Sequence, residues 1–147
     1  MKKLLLIIFL LFSGCSIKKA LKKDPIYEKT LIYTKRGQII NSLETKALID
    51  TVYLNPLYKE INSSTPTFLI GVYNDFDNTL QNEEFNLTLN NRPPLKISQK
   101  IPKFILYKNF PFYNTWMSYY IVEFNTTKKP LKLKYQSKHW GSVSFTY

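Results

Sequence analysis

Cysteine occurs once, at position 15, so no disulfide can form within the chain and any folded core must be held by packing. Histidine also occurs once, at 139, and one imidazole with no second thiol cannot build a zinc site unaided. Glycine is scarce at four residues, and no Gly-x-Ser-x-Gly elbow occurs that would place a serine nucleophile, paired with His139, on a strained turn. His139, beside Lys138 and Trp140, reads as a turn residue. Acids are outnumbered 10 to 21 by lysine and arginine, which leaves a formal net charge of +11. A surface of that sign seeks anionic neighbours. Among them are lipid head groups, acidic glycans and cell-wall polymer. The one long apolar run, Leu4 to Phe12, is too short to cross about 30 Å of hydrocarbon as a helix.

Aromatics, at 16% of residues, are abundant, and with so little glycine they favour a sheet-rich core. The first residues follow the grammar of export: Met1-Lys2-Lys3 is a basic start, Leu4 to Phe12 an apolar stretch, and Leu11-Phe12-Ser13-Gly14-Cys15 the end. That last stretch resembles the lipobox of bacterial lipoproteins. The resemblance implies that Cys15 receives a diacylglycerol on its thiol, that the bond between Gly14 and Cys15 is cut, and that residues 1–14 are a signal peptide. Phe12 departs from the usual Leu at its position. Ser16 after the cysteine, in place of Asp, implies by the family's sorting rule an outer-membrane, lipid-anchored protein facing the periplasm or the surface. Nucleic acid is then not an expected partner. Cleavage would leave 133 of the 147 residues, enough for one domain, with charge +9 once Lys2 and Lys3 are gone.

Residues 15–25 read as a lipidated basic tether. Ile17, Ala20 and Leu21 share one side of a helical turn, with Lys18, Lys19, Lys22 and Lys23 between them. Such a segment either lies on anionic head groups or is a solvated linker, and Pro25 is expected to end any helix there.

From residue 26 to 147 the pattern is β-branched and aromatic runs separated by polar turns, which predicts an all-β domain, a two-sheet antiparallel sandwich of immunoglobulin-like layout. The expected strands are Thr30–Thr34, Gln38–Asn41, Lys46–Leu54, Thr67–Asn74, Glu84–Asn90, Leu95–Ser98, Lys103–Lys108, Met117–Phe124, Leu131–Tyr135 and Ser142–Tyr147. Gly37 is expected to close a hairpin through a positive φ, and Asn90-Asn91-Arg92-Pro93-Pro94 and Thr126 to Pro130 to form turns. Strict alternation assigns Leu131, Leu133, Tyr135, Val143, Phe145 and Tyr147 to one face. Residues Ser42 to Leu57 also admit a helical reading, which Thr51-Val52-Tyr53 and Asn55-Pro56 disfavour.

Asp75-Phe76-Asp77-Asn78-Thr79, after an apolar run, is similar to the first motif of haloacid-dehalogenase-type phosphatases, in which two aspartates share a magnesium-dependent phosphoryl transfer. Glu83, Glu84 and Glu123 are the only acids further on, too few and too poorly placed to complete the metal shell. The stretch reads as a strand end entering a polar turn; a calcium site on Asp75 and Asp77 lacks the rest of its loop pattern. No catalytic residue, metal or cofactor is therefore expected. Among Phe110, Phe112, Tyr113, Trp116, Tyr119, Tyr120, Tyr135 and Trp140, core packing accounts for most. Trp116, Tyr119, Tyr120 and Trp140 are the candidates for a ligand platform that stacks on sugar or peptide. Finally, Asn62, Asn86 and Asn125 each begin an Asn-x-Ser/Thr triplet with Glu two residues earlier, which resembles the acceptor of bacterial oligosaccharyltransferases. The expectation is a non-catalytic binding or scaffolding module of the cell envelope, with a glycan- or peptide-binding module and an accessory factor for an envelope complex as alternatives.

Overall fold

The computed structural model describes residues 25–62, 64–105, 110–126 and 128–147, and the signal peptide, Cys15 and the basic tether lie outside them. The elements are α1 (Pro25–Ile32), β1 (Thr34–Asn41), β2 (Glu44–Tyr53), β3 (Thr67–Asn74), β4 (Phe85–Leu89), β5 (Lys96–Ser98), β6 (Ser118–Glu123), β7 (Lys132–Ser137) and β8 (Ser142–Thr146). They form two antiparallel sheets, β1-β2-β3-β6-β5 and β4-β7-β8, packed face to face. The expected two-sheet antiparallel sandwich is the fold of this chain.

Period-two patterning decides which side chains enter the core. Ala47, Ile49, Phe68, Ile70, Val72, Tyr120 and Val122 of the larger sheet meet Leu87, Leu89, Leu133, Tyr135 and Phe145 of the smaller one. The alternation anticipated for β7 and β8 holds, with Leu133 and Tyr135 fully buried between half-exposed or exposed lysines. Phe68 sits in an aromatic knot with Tyr53, Phe124 and Tyr147, ring centres 5.1 to 5.9 Å apart, each pair contributing about 1 kcal/mol beyond simple burial. The other face of the larger sheet is covered too. Val52, Leu54, Leu69 and Ile121 lie beneath Ile105 and Phe110 from the long β5–β6 connection.

Several local expectations are corrected. Thr30 to Thr34 is not a strand: Thr30 to Ile32 belong to α1, in whose first turn the missing N–H of Pro25 costs nothing, while the tether helix that Pro25 is expected to end lies outside the described residues. Thr30 Oγ1 turns back to the Ile26 carbonyl at 2.7 Å, and Tyr33 and Thr34 lead into β1. Gly37 lies inside β1, where no hairpin turns. The turn comes at Ser42 and Leu43, with φ of 51° and 71°, the double positive φ that matches strand twist in two-residue hairpins. Gly37 is needed for another reason. A Cβ there would stand 2.9 Å from Phe145 Cζ and nearer still to Val143 Cγ2, so its absence lets β1 lie against β8. Lys103 to Ile105 form a turn rather than a strand, and the rest of that expected strand lies outside the described residues. Asn90 and Asn91 do adopt positive φ, 51° and 64°, as their turn chemistry suggested.

Candidate functional site: a basic end that carries the N-terminal segment

Strand direction gives the sandwich two unlike ends. β1 begins and β2 finishes at one end, where the Tyr53 N–H donates to the Tyr33 carbonyl and α1 enters. Tyr147 lies against Tyr53 at 5.8 Å, and the Leu131 N–H donates to the Tyr147 carbonyl, so the start of β7 and the end of β4 belong to the same end. Asn90 follows β4 there and acts as a clip. Its N–H donates to the Lys132 carbonyl (2.9 Å), its Nδ2 to the Lys128 carbonyl (2.7 Å), and its Oδ1 accepts the Lys132 N–H (2.9 Å). The result is an open cavity of about 320 Å³ lined by Asn90, Asn91, Lys128, Lys129, Pro130 and Lys132. Arg92 adjoins it and donates from Nη1 to the Asn125 carbonyl at 3.4 Å. Among the described residues none of these four cations lies within 4 Å of a carboxylate.

The acids gather elsewhere. Glu44 starts β2 at the far end, where Lys46 bridges it (2.8 Å) to Asp75 (3.1 Å), and Asp77, Glu83 and Glu84 occupy the β3–β4 connection beside them. Of the acids at the basic end, Glu123 is engaged by Lys96 at 3.8 Å, while Glu28 lies on α1 and Glu60 in the β2–β3 connection. One end of the domain is therefore strongly positive and the other mixed to negative.

The phosphatase-like stretch is a cap on β3. Asn74 Oδ1 accepts the N–H groups of Phe76, Asp77 and Asn78 at 3.0 to 3.2 Å. Asp77 accepts from Thr79 N and Oγ1 and from Asn82 Nδ2; burial pushes its pKa up, but these bonds outweigh that and leave it below the ordinary carboxylate value. Among the described residues no group of three or more His, Cys, Asp or Glu could hold a metal ion.

His139 and Ser137 are brought together, with Glu84 between them. Ser137 Oγ donates to Glu84 Oε1, His139 Nδ1 lies 2.6 Å from Oε2, and the His139 N–H also reaches Oε1 at 3.1 Å. Desolvation pushes the Glu84 carboxyl up, yet bonds from Ser137 and His139 bring it below its usual value. A nucleophilic triad needs the imidazole between hydroxyl and acid. Here the acid is in the middle, and Ser137 Oγ also accepts the N–H groups of His139 and Trp140, so the cluster ties the β7–β8 hairpin to the start of β4.

The four platform candidates do not meet. Tyr120 is buried between the sheets, and Trp140 packs on Phe85 at the core's edge under Lys46. Tyr119 points to the opposite face from Tyr120 and joins Tyr113 over the larger sheet. Trp116 alone is half exposed, at 52%, and is backed edge-on by Tyr73 at 5.6 Å; Phe76, not among the candidates, is exposed at the same end. Phe110, Phe112 and Tyr135 serve packing, Phe112 by lying under the Arg36 guanidinium at 4.4 Å. Asn62, Asn86 and Asn125 are all exposed. Sequence reasoning missed the basic corner because its residues come from two distant turns. Asn90-Asn91-Arg92 and Lys128-Lys129-Pro130 are each legible as turns, and only the β4–β7 pairing of Leu89 with Leu133 brings them side by side. Compared with protein-family models, curated proteins and solved structures, the chain matches none.

Proposed function

We propose that this chain is an outer-membrane-anchored lipoprotein whose sandwich is a non-catalytic binding or scaffolding module of the cell envelope. The supporting observation is that α1 leads into β1 at the basic end of the domain, where the Tyr53 N–H meets the Tyr33 carbonyl. Nine residues separate Pro25 from Cys15, and the ten steps between them, fully extended, span about 35 Å, so a lipid on Cys15 would keep that end near the head groups. Several acyl chains hold a protein stably where one binds marginally. The test is fractionation of the protein with Cys15→Ser: it should move from the detergent phase to the soluble fraction, and a variant that stays fully membrane-bound would defeat the lipoprotein reading.

A second reading, a glycan- or peptide-binding module, draws its support from half-exposed Trp116 and its Tyr73 backing at the end away from the N-terminal segment. Equilibrium binding to glycan and peptide panels, abolished by Trp116→Ala with the fold intact, is the result it requires. An accessory role in an envelope complex would instead leave those panels empty and show in crosslinked membranes as co-purifying proteins.

A further inference from the structure

We infer that the corner built by Asn90, Asn91, Lys128, Lys129 and Lys132 seats the phosphate of an anionic phospholipid head group, and so stands the sandwich with this end on the bilayer. The inference takes from the lipoprotein reading only the nearness of a membrane. Its own support is the geometry.

Three exposed ammonium groups rim one open cavity of about 320 Å³, large enough for a phosphodiester and its neighbouring hydroxyls. Their backbone is fixed in advance by the triple use of Asn90, so little ordering is needed when an anion arrives. Two successive residues in the left-handed region, Asn90 and Asn91, turn the chain along the cavity's lining. No carboxylate among the described residues competes for these lysines within 4 Å, whereas Lys46 at the far end is committed to Glu44 and Asp75. The cavity is open to solvent and Pro130 is the only apolar residue in its lining, which leaves no enclosed wall for an acyl chain, so what it recognises is the head group. A membrane is favoured over a soluble anion because α1 joins β1 at this same end and the sequence just before α1 carries Lys18, Lys19, Lys22 and Lys23.

The test uses the mature chain with Cys15→Ser, so that no acyl chain is present, and with the four tether lysines changed to Gln, so that only the folded domain reports. Sedimentation with vesicles of mixed phosphatidylglycerol and phosphatidylcholine should show binding, and pure phosphatidylcholine none. Lys128→Gln, Lys129→Gln and Lys132→Gln together should weaken it on the order of a hundredfold at low salt. The matched control, Lys100→Gln, Lys134→Gln and Lys138→Gln, removes the same charge away from this end and should weaken it only a few-fold. Hydrogen exchange read on the unaltered corner should slow around residues 90–92 and 128–132 when vesicles are added. Equal losses from the two triple variants, or no protection at the corner, would overturn the inference, as would tight binding of inorganic phosphate without vesicle binding. Because the acyl chains are absent throughout, failure here leaves the fractionation of Cys15→Ser to judge the anchor separately.

Discussion

The ring of Tyr119 lies directly across Gly71, its partner in the β3–β6 register: a Cβ at Gly71 would stand 2.8 Å from Tyr119 Cε1. The ring can reach over the outer face of the larger sheet only because position 71 has no side chain. At its tip the hydroxyl accepts the Asn114 N–H at 2.9 Å and donates to the Phe112 carbonyl at 3.3 Å, so the close approach pins the segment that roofs the sheet. Gly71→Ala should cost about 2 kcal/mol by overpacking, and should speed proteolysis between residues 110 and 117. Urea unfolding measures the first effect and limited digestion the second; an unchanged midpoint would show that the ring shifts freely.

The same row continues through Asp50, whose buried carboxylate takes two bonds of 2.6 Å from Arg36 Nε and Nη2. Arg36→Met keeps an apolar stem but removes the guanidinium from both Phe112 and the carboxylate, which is left unpaired. A loss of about 2 kcal/mol is expected, below the full cost of breaking a buried pair because Arg36 itself is 41% exposed. Arg36→Lys should recover less than half of it, since one ammonium cannot make the forked contact. Denaturant titration of the two variants decides.

Glu84 ties stability to pH. Its folded pKa is below the unfolded value, so its contribution is fully present above the ordinary carboxylate pKa of about 4.3 and is lost as pH falls through the lower folded value. Thermal melts from neutral pH down to pH about 3 should show a smaller acid-induced drop for Glu84→Gln than for the native chain, with the variant already less stable at neutral pH by about 2 kcal/mol through weakened bonds to Ser137 and His139. Parallel curves would mean that other carboxylates govern the acid limb.

In a host with a bacterial oligosaccharyltransferase, Asn62 is the expected site of first modification. It is exposed in a connection outside the strands, with Ser64 N and Oγ donating to its Oδ1 at 3.0 and 2.7 Å. Asn86 is exposed but held in β4, so its modification should be slower. Intact mass of Asn62→Gln, Asn86→Gln and Asn125→Gln variants reads this directly; loss of the glycan only in Asn86→Gln would reverse the order.

The larger part of the fold was legible where burial imposes a period. β3 as Thr67–Asn74 was read to the residue, and the alternation of β7 and β8 predicted which side chains enter the core, because each strand has an unambiguous apolar face. The misreadings cluster where one residue type serves two purposes. The five residues from Thr30 look like a strand, although the first three lie in α1 and Thr30 uses its hydroxyl to bond back to the Ile26 carbonyl. Gly37 was read for its freedom at positive φ when it is used for its missing side chain, and no local signal marks Ser42 and Leu43 as the true turn. The basic corner depends on strand pairing more than 30 residues apart in sequence, which no window of residues contains.

Because Gly37 lets β1 settle against β8, the two sheets are bound along one margin, and the narrower sheet runs out before the wider one does. β5 is left overhanging. Ile97 opposes inward-facing Val122, yet it is 37% exposed, since no strand of the second sheet lies beneath it. Breathing of the sandwich is therefore lopsided, with the bound margin acting as a spine and the overhang as the page that lifts first. Amide protons near Ile97 should exchange with solvent orders of magnitude sooner than those near Ile39.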